Sequence, residues 1–189
     1  MPASLRHPAL LLLLAATGAV SAFSGGSPIC HTDQIIGCPM GFPVPQGAGI
    51  FSVQVSPAGY TPGQVVRISI YPSDTFTRLN GLLLYVEAPT EIGPDLYPVK
   101  TGGFASRLPA GLKFGCGSGS DPNVITHNGG VDHLLPLQFD WQAPAVAQGT
   151  LRLRAIVLRA GNEFDWDNAP YEMFSIELPL DPVFTDSFE

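Results

Sequence analysis

The chain has 189 residues, of which only 13% are charged, with 21 glycines, 19 prolines and a net charge of −7 at pH 7. That acidity excludes a nucleic-acid or anionic-surface binder unless the bases gather in one patch, and they are spread along the chain. Glycine and proline at this density disfavour helices and suit turn-rich β structure.

Residues 1–22 read as a secretory signal peptide. Arg6 and His7 precede an apolar run from Ala9 to Val20, and Val20-Ser21-Ala22 supplies small residues for cleavage. The run is too short for a membrane span, and no later segment reaches that length. The mature protein is therefore expected to be secreted, with no stable membrane insertion; in a bacterium the destination is the periplasm or the medium. What remains suits one domain, 23–180, followed by a short acidic tail, 181–189, that includes VFTDSFE.

Residues 23–49 carry Gly, Pro and two cysteines without a period and read as an irregular segment tied down by a disulfide. Period two then recurs. In IFSVQV, Phe51, Val53 and Val55 alternate with Ser52 and Gln54. In VVRISIY, Val66, Ile68 and Ile70 face one way and Val65, Arg67 and Ser69 the other. GLLLYVE puts Leu82, Leu84 and Val86 on one side. LQFDW places Leu137, Phe139 and Trp141 inside, with Gln138 and Asp140 outside. TLRLRAIVL places Leu151, Leu153, Ala155 and Val157 inside, with Arg152 and Arg154 outside. FSIEL adds Phe174, Ile176 and Leu178. Short strands between Pro/Gly turns predict two packed antiparallel sheets.

Three cysteines, Cys30, Cys38 and Cys116, in an exported chain predict one disulfide with one cysteine left over.

The segments YTPGQVVRISI (60–70), NGLLLYVEA (80–88), GGF (102–104), GC…VITH (115–127) and FDWQAPAVAQGTLRLRAIV (139–157), with FSGGSPIC (23–30) ahead of them, resemble in that order a Reeler (reelin-type) domain. The residues that carry the resemblance are Tyr60, Pro62, Gly63, Gly81, Phe104, Thr126, His127, Trp141 and Pro144. It implies an all-β, immunoglobulin-like antiparallel sandwich of about 7–9 strands. Such a module is non-catalytic, takes no cofactor and serves binding or adhesion to an extracellular protein or glycan. It also implies a bridge from a cysteine near the start to the one before Thr-His, hence Cys30–Cys116. The family often has Met three residues after its first cysteine; here Met40 follows Cys38 at a spacing of two, so Cys38–Cys116 stands as the alternative.

Other chemistry was weighed on the residues themselves. GCGSGS lacks the lysine and the helix of a phosphate-binding loop. A Cys116–His127 nucleophile-base pair, as in an exported hydrolase or redox protein, needs a free thiolate. His31, His127 and His133 with the cysteines match no zinc spacing. In NEFDWDN, Glu163, Asp165 and Asp167 share one side of an extended chain and are the candidate Ca²⁺ ligands of an acidic adhesion domain. Tyr60, Tyr71, Tyr85, Tyr97 and Tyr171 are candidate glycan-stacking groups. Eight of the 16 acids, Glu172 among them, lie from Glu163 onward with no base after Arg159, which argues against polyanion ligands.

Overall fold

A computed structural model describes residues 25–35, 43–44, 49–75, 77–117, 119–129, 135–159 and 171–181. The signal peptide, the acidic tail from 182, Cys38, His133 and the Glu163/Asp165/Asp167 cluster lie outside the described residues.

The described residues form two antiparallel-rich sheets packed face to face. The strands in chain order are β1 (Pro43–Val44), β2 (Phe51–Ser56), β3 (Val65–Pro72), β4 (Leu79–Ile92), β5 (Pro98–Lys100), β6 (Gly103–Phe104), β7 (Leu112–Phe114), β8 (Val124–His127), β9 (Leu137–Gln142), β10 (Leu151–Arg159) and β11 (Tyr171–Leu178). The larger sheet runs β1-β11-β10-β4-β8-β7, with β5 paired to the far end of β4. The smaller runs β2-β3-β9-β6. All pairings are antiparallel except β1 with β11. The predicted sandwich is therefore present. The strands beyond the expected number are β1, β5, β6 and β7, of two or three residues each, too short to show a period.

The strands whose alternation is plain in the sequence are those with one face on the core. Val66, Ile68 and Ile70 of β3 stand opposite Trp141, Phe139 and Leu137 of β9. These meet Leu82, Leu84 and Val86 of β4 and Leu153, Ala155 and Val157 of β10 in one buried cluster. Strand β4 differs. Its first ten residues, Leu79 to Ala88, are all buried, because both of its faces are covered. The smaller sheet covers one. A second cluster covers part of the other: Leu83, Tyr85, Val124, Ile156 and Tyr171 lie under Ile29, Cys30 and Cys116 of the N-terminal segment and its bridge.

Candidate functional site

Three regions gather the residues that the sequence marks for attention. The first is one pole of the sandwich. The turn at Pro62-Gly63 enters β3, and Gly63 N–H donates to the Pro144 carbonyl at 3.0 Å. Tyr60, fully buried, meets the Trp141 ring edge-on at 6.3 Å and donates its hydroxyl to the Gly149 carbonyl at 2.7 Å. Trp141 Nε1 donates to the Thr101 carbonyl at 3.2 Å. Phe104 packs edge-on against Phe139. Tyr60, Pro62, Gly63, Phe104, Trp141 and Pro144 thus converge on the pole. Gly81, Thr126 and His127 do not; they lie across β4 and β8, where Gly81 lets Leu158 approach. The pole opens only as a shallow hollow of about 370 Å³ walled by Gly102, Gly103, Gln142 and Pro144. These residues fill and fasten the end of the fold.

The second region is the outer face of the larger sheet. Here the bridge is Cys30–Cys116, with Cα atoms 5.2 Å apart, so Cys38 is not its N-terminal end. The bond consumes the Cys116 thiol, and the Cys116–His127 pair cannot act as nucleophile and base. Thr126 and His127 sit in β8 between β4 and β7, and both are buried. Thr126 Oγ1 accepts from Ser27 N–H at 2.8 Å and donates to the Leu82 carbonyl at 2.9 Å, while Gly117 N–H donates to the Ser27 carbonyl at 2.7 Å. The N-terminal segment is therefore fastened by hydrogen bonds on both sides of its bridge.

Beyond the bridge the segment covers a polar centre. Glu87, 2% exposed, stands opposite Arg152, with Arg154 one step further along the strand. Its Oε1 lies 3.9 Å from Arg152 Nη1 and 3.8 Å from Arg154 Nε. Burial pushes the Glu87 carboxyl above the usual range, and the two arginines pull it back. Arg154, expected on the outside, is largely covered. It donates to Thr32 Oγ1 at 2.8 Å and pairs with Asp33. Thr32 N–H donates to Tyr85 Oη at 2.9 Å. His31, 3% exposed, stacks on Tyr97 at 4.3 Å. Its Nε2 is 3.0 Å from both Lys100 Nζ and Asp95 Oδ2, and its buried Nδ1 has no hydrogen-bond partner among the described residues. Burial and the neighbouring ammonium hold the imidazole pKa below its ordinary value. Asp95 and Lys100 were not foreseen as partners of His31. The one available signal was Glu87 itself, an acid in an otherwise apolar strand. His31 and His127 do not come together, and among the described residues no group of three His, Cys, Asp or Glu could hold a metal.

The five tyrosines need correction as glycan-stacking candidates. Tyr60, Tyr85 and Tyr171 are buried, and the first two satisfy their hydroxyls inside the protein. Only Tyr71 and Tyr97 keep partial exposure, and Tyr97 is stacked on His31. Glu172, counted among the C-terminal acids, is fully buried and accepts from Phe51 N–H at 2.9 Å, joining the two sheets.

The third region is the outer face of the smaller sheet, which the other described residues leave largely uncovered. Ser52, Gln54 and Ser56 of β2, Arg67 of β3, and Gln138 and Gln142 of β9 are exposed there. Arg67 and Asp140 face each other in register and form a two-point ion pair, Nε to Oδ1 at 2.9 Å and Nη2 to Oδ2 at 3.3 Å. Beside them lies a hollow of about 220 Å³ lined by Arg67, Phe104, Arg107, Leu108, Gln138 and Asp140.

Comparison with known proteins bears on this geometry. A Reeler domain family model matches residues 38–178. The match begins at Cys38, the cysteine that the bridge does not use. Among solved structures, the Reelin-N domain of F-spondin superposes with a TM-score of 0.58 at 18% identity, covering 80% of this chain and 99% of that one. A human F-spondin reeler domain superposes with a TM-score of 0.55 at 18% identity, covering 75% and 96%. No curated protein matches the chain.

Proposed function

The chain belongs to the Reeler domain family, and from that premise we propose that it is an exported, non-catalytic binding module. Its ligand surface is the outer face of β2, β3 and β9 with the adjoining hollow, and its ligand is a glycan. Export rests on the signal-peptide pattern of residues 1–22 and agrees with the disulfide.

The observation that carries this reading is the contrast between the two outer faces. The larger sheet has much of its outer face covered by its own N-terminal segment. The smaller sheet leaves its face largely uncovered by the other described residues and carries amides and hydroxyls there, with the exposed Val65 at one end of β3. Gln54, Gln138 and Gln142 each offer both donors and acceptors, the pairing that sugar hydroxyls require. They project from paired strands, so little backbone order remains to be fixed on binding. Tyr71 stands opposite Ser52 and adds a partly exposed ring at the margin. Of the two cations at this surface, Arg67 and Arg107, the first is already matched by Asp140, and the chain as a whole is acidic. That favours neutral sugars over sulfated polyanions.

The test is a glycan array probed with the chain lacking residues 1–22, followed by affinities for any hit. The double variant Gln138→Ala/Gln142→Ala is expected to lose about thirtyfold in affinity, as each of two lost hydrogen bonds contributes roughly 1 kcal/mol. Its thermal midpoint should stay within about 2 °C of the parent, since both side chains are exposed. Binding unaffected by the double variant, or no glycan bound at all, would refute the assignment.

A further inference from the structure

The smaller sheet ends at β2, and the way it ends is unusual for a protected edge. Ser73 N–H donates to the Ile50 carbonyl, and β2 pairs in register with β3 from Phe51↔Pro72 to Ser56↔Arg67. The even-numbered residues of β2 therefore direct their backbone groups to β3 and the odd-numbered ones direct theirs outward. Phe51 N–H is taken by Glu172. The N–H and C=O groups of Val53 and Val55 have no partner among the described residues. No lysine, proline or bulge lies within Phe51–Ser56 to blunt this edge, and no charge of any kind.

The sequence of the edge is a palindrome, Ser52-Val53-Gln54-Val55-Ser56. We propose that β2 is a homophilic docking edge that pairs antiparallel with β2 of a second copy about a two-fold axis at Gln54. In that register Val53 lies opposite the other copy's Val55, and each such pair exchanges both backbone bonds. These are the groups left open. Gln54 meets its own copy in the close, non-bonded position, where two amides complete each other's hydrogen bonds. Ser52 meets Ser56. The partly buried Val53 and Val55 side chains meet their counterparts on the inner side. A two-fold contact needs a surface complementary to itself, and a palindromic, uncharged strand is one. The pairing joins two smaller sheets into one continuous sheet and doubles the open polar face. It stands independently of which ligand that face takes. A contact along so short an edge falls below the roughly 1,200–2,000 Å² of a stable interface, so the association is weak and concentration-dependent.

Sedimentation velocity of the chain lacking residues 1–22, over roughly 5 to 500 μM, should show a reversible shift from monomer towards dimer. Gln54→Lys sets two like charges opposite each other at the axis and should weaken dimerisation by roughly fivefold, without changing the thermal midpoint of the monomer. A cysteine scan reads the register. In a Cys38→Ser background, Gln54→Cys should form an intermolecular disulfide under glutathione oxidation. Ser52→Cys, whose counterpart lies several residues away along the strand, should bridge at least about tenfold more slowly. A monomer at every concentration, equal bridging of the two cysteine variants, or a dimer indifferent to Gln54→Lys would each overturn the proposal.

Discussion

Gly102 lies against the indole of Trp141 so closely that a side chain there would overlap the ring and stand 2.5 Å from the Gln142 carbonyl oxygen. It also has φ of +68°. Two separate costs meet at this glycine, left-handed backbone and a clash with the largest fully buried side chain of the core. Gly63 isolates the first. Its φ is +74°, but nothing lies within 4 Å of where its Cβ would be. Gly63→Ala is therefore expected to cost about 1 kcal/mol, and Gly102→Ala about 3 kcal/mol, the extra being overpacking. Urea unfolding of the two variants checks the difference. Equal losses would mean that the pole yields around Trp141.

Thr126 holds the N-terminal segment to the sheet through a single oxygen that both accepts from Ser27 and donates to Leu82. Thr126→Val keeps the shape and removes that oxygen, leaving the buried Ser27 N–H unmatched and the Leu82 carbonyl with only the longer contact to His127 Nδ1 at 3.4 Å. The expected loss is about 2 kcal/mol in urea unfolding. Thr126→Ser should recover most of it, a recovery that a purely steric role for the methyl group would not produce.

Much of this fold was readable because water marks one side of most strands. Phe51/Ser52, Ile68/Arg67, Phe139/Asp140 and Leu153/Arg152 alternate as core and solvent residues do, and the structure places them so. The signal fails where both faces are covered. Nothing in LLLYVEA says that Tyr85 and Glu87 are covered by His31 to Asp33, since that contact joins residues more than fifty positions apart. A tyrosine's polar tip suits the surface, yet the tips of Tyr60 and Tyr85 find Gly149 and Thr32 inside the protein. Nothing in VITH marks it as an interior strand, because the strand outside it, Leu112–Phe114, is three residues long and followed by a glycine-rich loop. The outer face of the smaller sheet is half legible. Gln54 and Gln138 were assigned to the solvent side, but that they share one uncovered sheet depends on strand order, which alternation does not encode.

The bridge closes a loop with a sequence separation of 86. In the chain-entropy account that restricts the unfolded chain by about 4–5 kcal/mol. Cys30→Ala/Cys116→Ala should lose roughly that much stability, a large share of the 5–15 kcal/mol typical of a domain. The pairing also has a chemical consequence for the third cysteine. With Cys30 and Cys116 joined, Cys38 has no cysteine of its own chain to pair with. Alkylation of the denatured, unreduced monomer should therefore modify one thiol, located by peptide mass at Cys38. Modification at Cys30 would instead restore the Cys38–Cys116 alternative.

His31 gives the N-terminal fastening a dependence on pH. The groups around its ring are Lys100 and Asp95 at Nε2, Tyr97 on its face, Tyr85 at its edge and Asp33 nearby. Burial and Lys100 lower its pKa in the folded state, so folding favours the neutral ring. The unfolded chain then binds more protons than the folded one over the window from the ordinary histidine value, about 6.5, down to the lowered folded value. The stability held by the neutral ring is complete above that window and is lost as the pH falls through it. Protonation also sets a cation against the Lys100 ammonium and places a second N–H at a buried position, because Nδ1 has no partner among the described residues. Glu87 works in the opposite sense. Its carboxyl pKa is raised by burial, so acidification through its window adds stability. A wild-type pH curve mixes the two effects, and a comparison with His31→Phe separates them: that variant keeps a ring on Tyr97 and removes the titration together with the Nε2 contacts to Asp95 and Lys100, so the slope of the difference against pH, not its offset, is the readout. Between about pH 7.5 and about pH 5, the stability difference between wild type and His31→Phe should shift in favour of the variant. Urea unfolding of both proteins at each pH measures it, and parallel curves would show that the histidine does not sense pH in the folded protein.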